Sequence, residues 1–569
     1  MRSPAGCTSA ARVRSHFCTE RVKVPTARPP QNHTAMVVAP QPAATDAGVE
    51  VLAKGGNVVD AALAAALVQG VVDPFACGIG GMAITQITSR DGRVQTFDGL
   101  GVVPADAKPG MWADGYRGSF GDELGHIIES STNESGAQSV CVPGVMRSFA
   151  YIHSLHGSIP WSEVLAPAIR SAGEYRDVTL REHVMVNHSG RFGSRLSIRE
   201  KLLRNNGDRG GFVHRDGDSV RLAISVSNGS LASTLERMAR LGADDFYLGG
   251  LAGIIIESLS AARGFMTASD LAGYEVRIRD PLSQEFRGLR VSVPADPVAG
   301  PQLLATLGVM DRFEFSELEH NSPEHIRILA ESMKFGRLVA DHMLDAPDSI
   351  DRAISSLITA ERLDAAAERI RSGGRLGLKG AGASSESALV MNGTHVSVTD
   401  VDGMAVSISQ TLGRQSGLIV KSTGFMVNGG MSLFDPRPGR WSSIAPGRRC
   451  PTMMTPTIVF DGDDPIISIG ASDGPMAAQA LAQVISNVID FGMTAQEAVS
   501  APRVSATGRP IEISNRIPRR VQADLERVGY LVERSSEGFT AGNAYAITRF
   551  GDVLDGGVDP CRDGYAAGV

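Results

Sequence analysis

Residues 392–411 read Asn-Gly-Thr-His-Val-Ser-Val-Thr-Asp-Val-Asp-Gly-Met-Ala-Val-Ser-Ile-Ser-Gln-Thr. From Thr394 to Thr399 the residues alternate, with Val396 and Val398 on one face and His395, Ser397 and Thr399 on the other. Asp400-Val401-Asp402-Gly403 is a turn sequence and Met404 to Ser409 alternates again, which predicts a β-hairpin. Folding about that turn brings Ser409, Gln410 and Thr411 back beside residues 392–394. A hydroxyl at a Gly-Thr junction, faced by other hydroxyls, suits a chain that cuts itself. The threonine then gains a free α-amine, which can act as general base for its own hydroxyl. The plain alternative is an ordinary hairpin with Thr and Ser on its wet face. The stretch by itself leaves both readings open.

On either side of the hairpin the pattern is that of a mixed fold. A Gly/Ser-rich run, 373–385, reads as a flexible surface segment that would give a self-cleaving chain its slack. Downstream come strands over Thr457–Phe460 and Ile466–Gly470, joined by the turn Asp461–Pro465. A helix over Met476–Phe491 follows, with Ala480, Leu481, Val484, Ile485, Val488 and Ile489 at helical spacing. A further helix, Val521–Val528, and late strands near 530–533 and 544–549 complete this half. Upstream, Ala44–Ala53 is helical and ends at Gly55-Gly56. Asn57 caps a second, alanine-rich helix from Val58 to Val68, whose small side chains imply close packing. Strands follow at Met82–Ile87 and Val94–Asp98, then helices at Met146–His156 and Trp161–Gly173. The middle of the chain, Val178–Asp280, reads as helical and polar. Beyond it lie a strand at Leu289–Val293, a helix at Leu303–Gly308 and long helices at Pro323–His342 and Ala360–Ser372. Strands grouped with long helices, without regular βαβ alternation, predict an α+β fold of sheets packed together and covered by helices. No internal repeat is visible.

Composition bounds the function. At 569 residues the chain is long enough for one large core or two ordinary ones. A net charge of -7 argues against nucleic acid or an anionic membrane as the main partner, and no segment has the uninterrupted apolar length of a membrane span. The six cysteines (Cys7, Cys18, Cys77, Cys141, Cys450, Cys561) include no CxxC pair. They read as free thiols of a reducing compartment, hence a cytoplasmic protein, or as small buried residues; neither a metal nor a cofactor is expected. Residues 1–35 are basic, rich in Pro, Ser and Thr, and lack the apolar core of a signal peptide, so they read as a disordered or non-native extension. The loop Gly78-Ile79-Gly80-Gly81 is not followed by Lys-Ser/Thr or a helix, so room for backbone explains it better than phosphate binding.

The chain resembles the γ-glutamyltranspeptidase family, a branch of the N-terminal nucleophile hydrolases. The resemblance runs from about Met36 to Val569. It is carried by residues 43–74, the GIGG loop at 78–81, VPGVMRSF at 142–149 and the hairpin at 394–412. Further carriers are MTPTIVFDG at 454–462, NVIDFGMTAQEAVSAPR at 487–503 and GGVDPCRDGYAAGV at 556–569. The resemblance implies a four-layer αββα sandwich whose precursor cuts itself into a large and a small subunit that stay together. Here those would be residues 36–393 and 394–569, and a homodimer of the whole is conceivable.

The family's site residues transfer unevenly. The family has Thr-x-His at its nucleophile, so the nucleophile position falls on Gly393, and Thr394 matches the residue after it. The family's second-strand threonine falls on Thr411. Either activity is lost, or the register slips by one and Thr394 serves after cleavage, with Thr411 supporting its amine. The Gly-Gly of the oxyanion hole corresponds to Asp473-Gly474, whose backbone N–H groups can still donate. The substrate positions have changed more. The arginine for the γ-glutamyl α-carboxylate falls at Leu100, the hairpin-end asparagine at Gly413, the acid near Leu433, and the paired serines at about Thr452 and Met453. Losing an arginine from a carboxylate site removes a bidentate charge-assisted pair. The resemblance together with these changes implies an amide hydrolase or acylase acting on a small, non-γ-glutamyl amide through Thr394. The alternatives are a silent, uncut paralogue and a true γ-glutamyltransferase or glutathione hydrolase.

Overall fold

A computed structural model describes residues 33–569, except 120–124, 188–194, 207–224, 296–298, 346–355, 378–392, 473, 507, 509 and 536–541. Most of the Gly/Ser run (378–385) and Asp473 therefore lie outside the described residues. Among the described residues thirteen strands form the two main sheets. They are β1 (Ala35–Ala39), β2 (Met82–Thr88), β3 (Val94–Gly99), β4 (Arg277–Arg279), β5 (Leu282–Phe286), β6 (Leu289–Val293), β7 (Thr394–Asp400), β8 (Ala405–Thr411), β9 (Thr457–Asp461), β10 (Asp464–Ala471), β11 (Ala544–Phe550), β12 (Val553–Val558) and β13 (Tyr565–Gly568). The first sheet runs β13-β1-β7-β8-β2-β3-β4 and the second β12-β11-β10-β9-β6-β5. Every pairing in both is antiparallel.

Each sheet carries helices on its outer face. On the first lie α1 (Pro42–Ala53) and α2 (Val58–Val72), with Val396, Val398, Val406 and Ile408 of the hairpin buried among their side chains. Asn57 caps α2 with its side chain while Asp60 bonds back to the Asn57 N–H, a reciprocal capping box. Because small residues line α2, the helix sits close on the sheet and nearly all of it is buried. On the second sheet lie α3 (Ala299–Met310), α4 (Pro323–Asp345) and α5 (Ala477–Ile489), which share a core with Val291, Val459, Ile467 and Ile469. The inner faces meet each other, in part through the apolar groups Met36, Val38, Tyr545 and Ile547 and Ala405, Ile458 and Phe460. The result is helix, sheet, sheet, helix: the four-layer αββα sandwich.

The hairpin is central, with β7 against β1 and β8 against β2. Its Ser and Thr face is not wet: His395, Ser397, Thr399, Ser407 and Ser409 are buried, covered by the second sheet. The glycines at 80 and 81 serve close approach. A Cβ at Gly80 would lie 2.4 Å from the Met426 carbonyl oxygen and one at Gly81 2.6 Å from that of Thr411. The C-terminal strand β13, invisible in the sequence pattern, closes the first sheet against β1.

Candidate active site

Gly393 leads into β7 with φ +85°, a backbone conformation natural to glycine. A Cβ built there would lie 3.5 Å from Thr411 Cβ and 3.6 Å from its Oγ1. Position 393 therefore points at Thr411, with neither a hydroxyl nor any other side chain to offer. Thr411 itself is held at the end of β8, its Oγ1 accepting from the Gly413 N–H at 3.0 Å.

A strand turns successive side chains to opposite faces, so a register slip of one residue is also a change of face. Thr394 pairs with Gln410 and its side chain points to the helical layer. Its Oγ1 accepts from Gln41 Nε2 at 3.1 Å and from Gln69 Nε2 at 3.2 Å, and can donate to Gln41 Oε1 at 3.4 Å. Gln69 Nε2 also donates to the His395 carbonyl oxygen and to Gln41 Oε1, each at 2.8 Å. Gln410 Nε2 donates to Gln69 Oε1 at 2.9 Å. Gln41 is anchored in turn by donating to Asp73 Oδ2 at 2.9 Å, and Asp73 pairs with Arg562 at 3.2 Å and Arg181 at 3.5 Å. The sequence reading missed this buried network. One signal was available: Gln69 and Asp60 are the only polar residues in α2, and Asp60 is accounted for by the cap.

On the opposite, inner face His395 is fully buried between the sheets. Its Nδ1 lies 2.9 Å from Ser409 Oγ and its Nε2 2.8 Å from Ser397 Oγ, and its ring stacks on Tyr545. Burial holds its pKa down to about 3, so the ring is neutral and fixed by hydroxyls. Gly470 leaves the space it occupies, since a Cβ there would fall 2.1 Å from its Nδ1.

The altered substrate positions are partly brought together. Leu100 is buried in a cluster with Met82, Ile84, Val103, Met431 and Met454, and Leu433 packs against that same cluster. Leu433 also touches the core that contains Met453. Thr452 is buried with Oγ1 accepting from the Met454 N–H at 3.1 Å. Gly413 has φ +64° and bridges to Gly429. Beneath Leu100, Arg449 pairs with Asp98 at 3.1 Å, and Tyr274 donates to the Leu100 carbonyl oxygen at 2.7 Å. Gly474 opens a short 3-10 turn, Gly474–Met476, with φ +59°. Among the described residues no group of three or more His, Cys, Asp or Glu is placed to hold a metal, and no helix is long and apolar enough to cross a membrane.

Two antiparallel sheets face to face, helices outside, and a central hairpin with a threonine at its start define the N-terminal nucleophile hydrolase class. Comparison narrows this. Residues 44–569 match the family described as Gamma-glutamyltranspeptidase, and the chain belongs to it. It is 29% identical over 538 residues to "Acylase ACY 1 proenzyme" of Pseudomonas sp. (strain SE83), covering 92% of each chain. It is also 29% identical over 557 residues to "Glutathione hydrolase proenzyme" of Pseudomonas aeruginosa, again covering 92% of each. The crystal structure of cephalosporin acylase from Bacillus halodurans superposes with a TM-score of 0.80 at 25% identity, over 97% of this chain and 99% of that one.

Proposed function

We propose that this protein is an acylase-type amide hydrolase of the γ-glutamyltranspeptidase family that takes a small amide other than a γ-glutamyl compound. The observation that carries the proposal is the shared apolar packing of Leu100 and Leu433, the positions where the family resemblance leads one to expect an arginine and an acid. With leucine at both positions, neither side chain offers a glutamyl α-carboxylate or α-amine a counter-charge, whereas an apolar acyl group needs none. The acylase relatives support the same direction. In this reading the chain cuts itself between Gly393 and Thr394. The new Thr394 amine takes the proton of its hydroxyl, Oγ1 attacks the substrate amide carbon, and the acyl ester so formed is hydrolysed by water. Thr411 supports the amine, and the oxyanion donors are those the family resemblance implies, the backbone N–H groups at positions 473 and 474.

The test compares γ-glutamyl-p-nitroanilide with p-nitroanilides of apolar acyl groups. Near-background release from the first and saturable release from at least one of the second is the expected result. Saturable turnover of the glutamyl compound overturns the proposal and restores glutathione-hydrolase activity.

A second reading, an uncut and catalytically silent protein, is favoured by one specific observation. Gly393 carries no hydroxyl, and that of Thr394 is engaged on the helical face by Gln41 and Gln69. Chain cleavage separates the two readings, because only the first requires it.

A further inference from the structure

Resting on the reading of Thr394 as nucleophile, we infer that Gln41 and Gln69 are positioning residues that govern whether the Gly393–Thr394 bond is cut. Self-cleavage needs Oγ1 to attack the Gly393 carbonyl carbon. The hydroxyl proton passes to the Thr394 nitrogen as the C–N bond breaks, which leaves an ester between Gly393 and Oγ1. Water then splits the ester into a Gly393 carboxylate and a threonine with free amine and hydroxyl. Every step uses a lone pair of Oγ1 or its freedom to rotate.

The structure commits both. Gln41 Nε2 donates to Oγ1 at 3.1 Å, Gln69 Nε2 lies 3.2 Å from it while sharing its two N–H groups with the His395 carbonyl and Gln41 Oε1 at 2.8 Å, and Gln41 Oε1 at 3.4 Å is placed to receive the hydroxyl proton. The cradle is rigid because each amide is held from behind. Gln41 begins α1 and donates to Asp73. Gln69 lies in the last turn of α2, where it donates to the His395 carbonyl and accepts from Gln410. Asp73 is the residue that ends α2 and pairs with Arg562 in the C-terminal tail. The hydroxyl's aim is thus set by the seating of two helix ends and the last residues of the chain, all more than 150 positions distant from it in sequence. A hydroxyl engaged by these amides in a buried site loses those contacts on turning toward a carbonyl, and the loss raises the barrier. The cradle acts as a catch, and cleavage in the native chain is slow.

The test uses the full-length chain with Gln41→Met and Gln69→Met, which keep side-chain length while removing donor and acceptor. Thr394→Ser keeps the hydroxyl with a freer rotamer, and Thr394→Ala is the uncleavable control. Intact mass is followed over days, with circular dichroism to confirm that each variant folds. Folded Gln→Met variants should yield fragments 1–393 and 394–569 at least about tenfold faster than wild type, a change on the scale of one or two lost hydrogen bonds. Thr394→Ser should be faster than wild type too, because its freer rotamer leaves the cradle more readily. If wild type cuts and the Gln→Met variants cut no faster, the catch is overturned while Thr394 chemistry stands. If no folded form of the protein cuts, both the catch and the nucleophile reading fall. Should the Gln→Met variants not fold, Gln69→Glu, which keeps the side-chain shape but removes the amide donor, decides instead, acceleration supporting the catch and an unchanged rate overturning it.

Discussion

At position 393 the backbone φ is +85° and a Cβ would come within 3.1 Å of the Gln410 carbonyl oxygen. Restoring a hydroxyl with Gly393→Thr therefore meets a conformational cost of about 1–2 kcal/mol for a non-glycine residue in the left-handed region, besides a tight contact. The new side chain would nonetheless point at Thr411, from the position where the family resemblance puts the nucleophile. The expected outcome is a variant with a lowered unfolding midpoint that self-cleaves partially over hours to days between Asn392 and the introduced residue. A folded variant that never cuts there would mean that the oxyanion groups have changed along with the nucleophile. Much at this scale was legible in advance: counting back from His395 exposes Gly393, and strand alternation places Thr394 and His395 on opposite faces. The cradle was not, because Gln41 and Gln69 reach Thr394 across 353 and 325 residues. No local pattern encodes that approach.

The hairpin shows how an element's meaning depends on what covers it. Alternation located both strands to within two residues and assigned the faces correctly, with Val396 and Val398 toward the helices. It could not say that the hydroxyl-rich face would be buried, since Ser and Thr suit water as well as a satisfied interior. The short strand β13, Tyr-Ala-Ala-Gly, went unread because its residues have little β-propensity and it exists only through pairing with β1. Burial of His395 has a consequence for pH. Its pKa is about 3 in the fold against an ordinary 6.5, so the unfolded chain binds the proton first on acidification. The stability in question is complete above pH 6.5 and is lost progressively as pH falls toward 3. His325, likewise buried and held at about 3, adds to the same slope. Thermal unfolding midpoints should therefore fall from neutral pH to pH ~5, and less steeply in a folded His395→Gln variant. An identical slope in that variant would remove His395 from the explanation.

Across the whole molecule, the grouping of strands and helices gave the class of fold, and the ordered motifs from residue 43 to 569 gave the family. Both agree with the layered architecture and the full-length match. The substrate is less legible, because it depends on which side chains converge from distant segments. Leu100, Leu433 and Met454 meet in one cluster although more than 300 residues separate the first from the others. At Leu100 and Leu433 the meeting turns two separate losses of charged groups into one apolar contact. The proposed cut between residues 393 and 394 is where hairpin and cradle bear on one event. Its most direct measurement is the intact mass of purified wild-type protein after prolonged incubation, with N-terminal sequencing of any smaller fragment. Slow, incomplete conversion to residues 1–393 and 394–569 is expected, the latter beginning Thr-His-Val-Ser. A single undivided chain throughout would contradict it, and would mark the protein as a family scaffold without the family's chemistry.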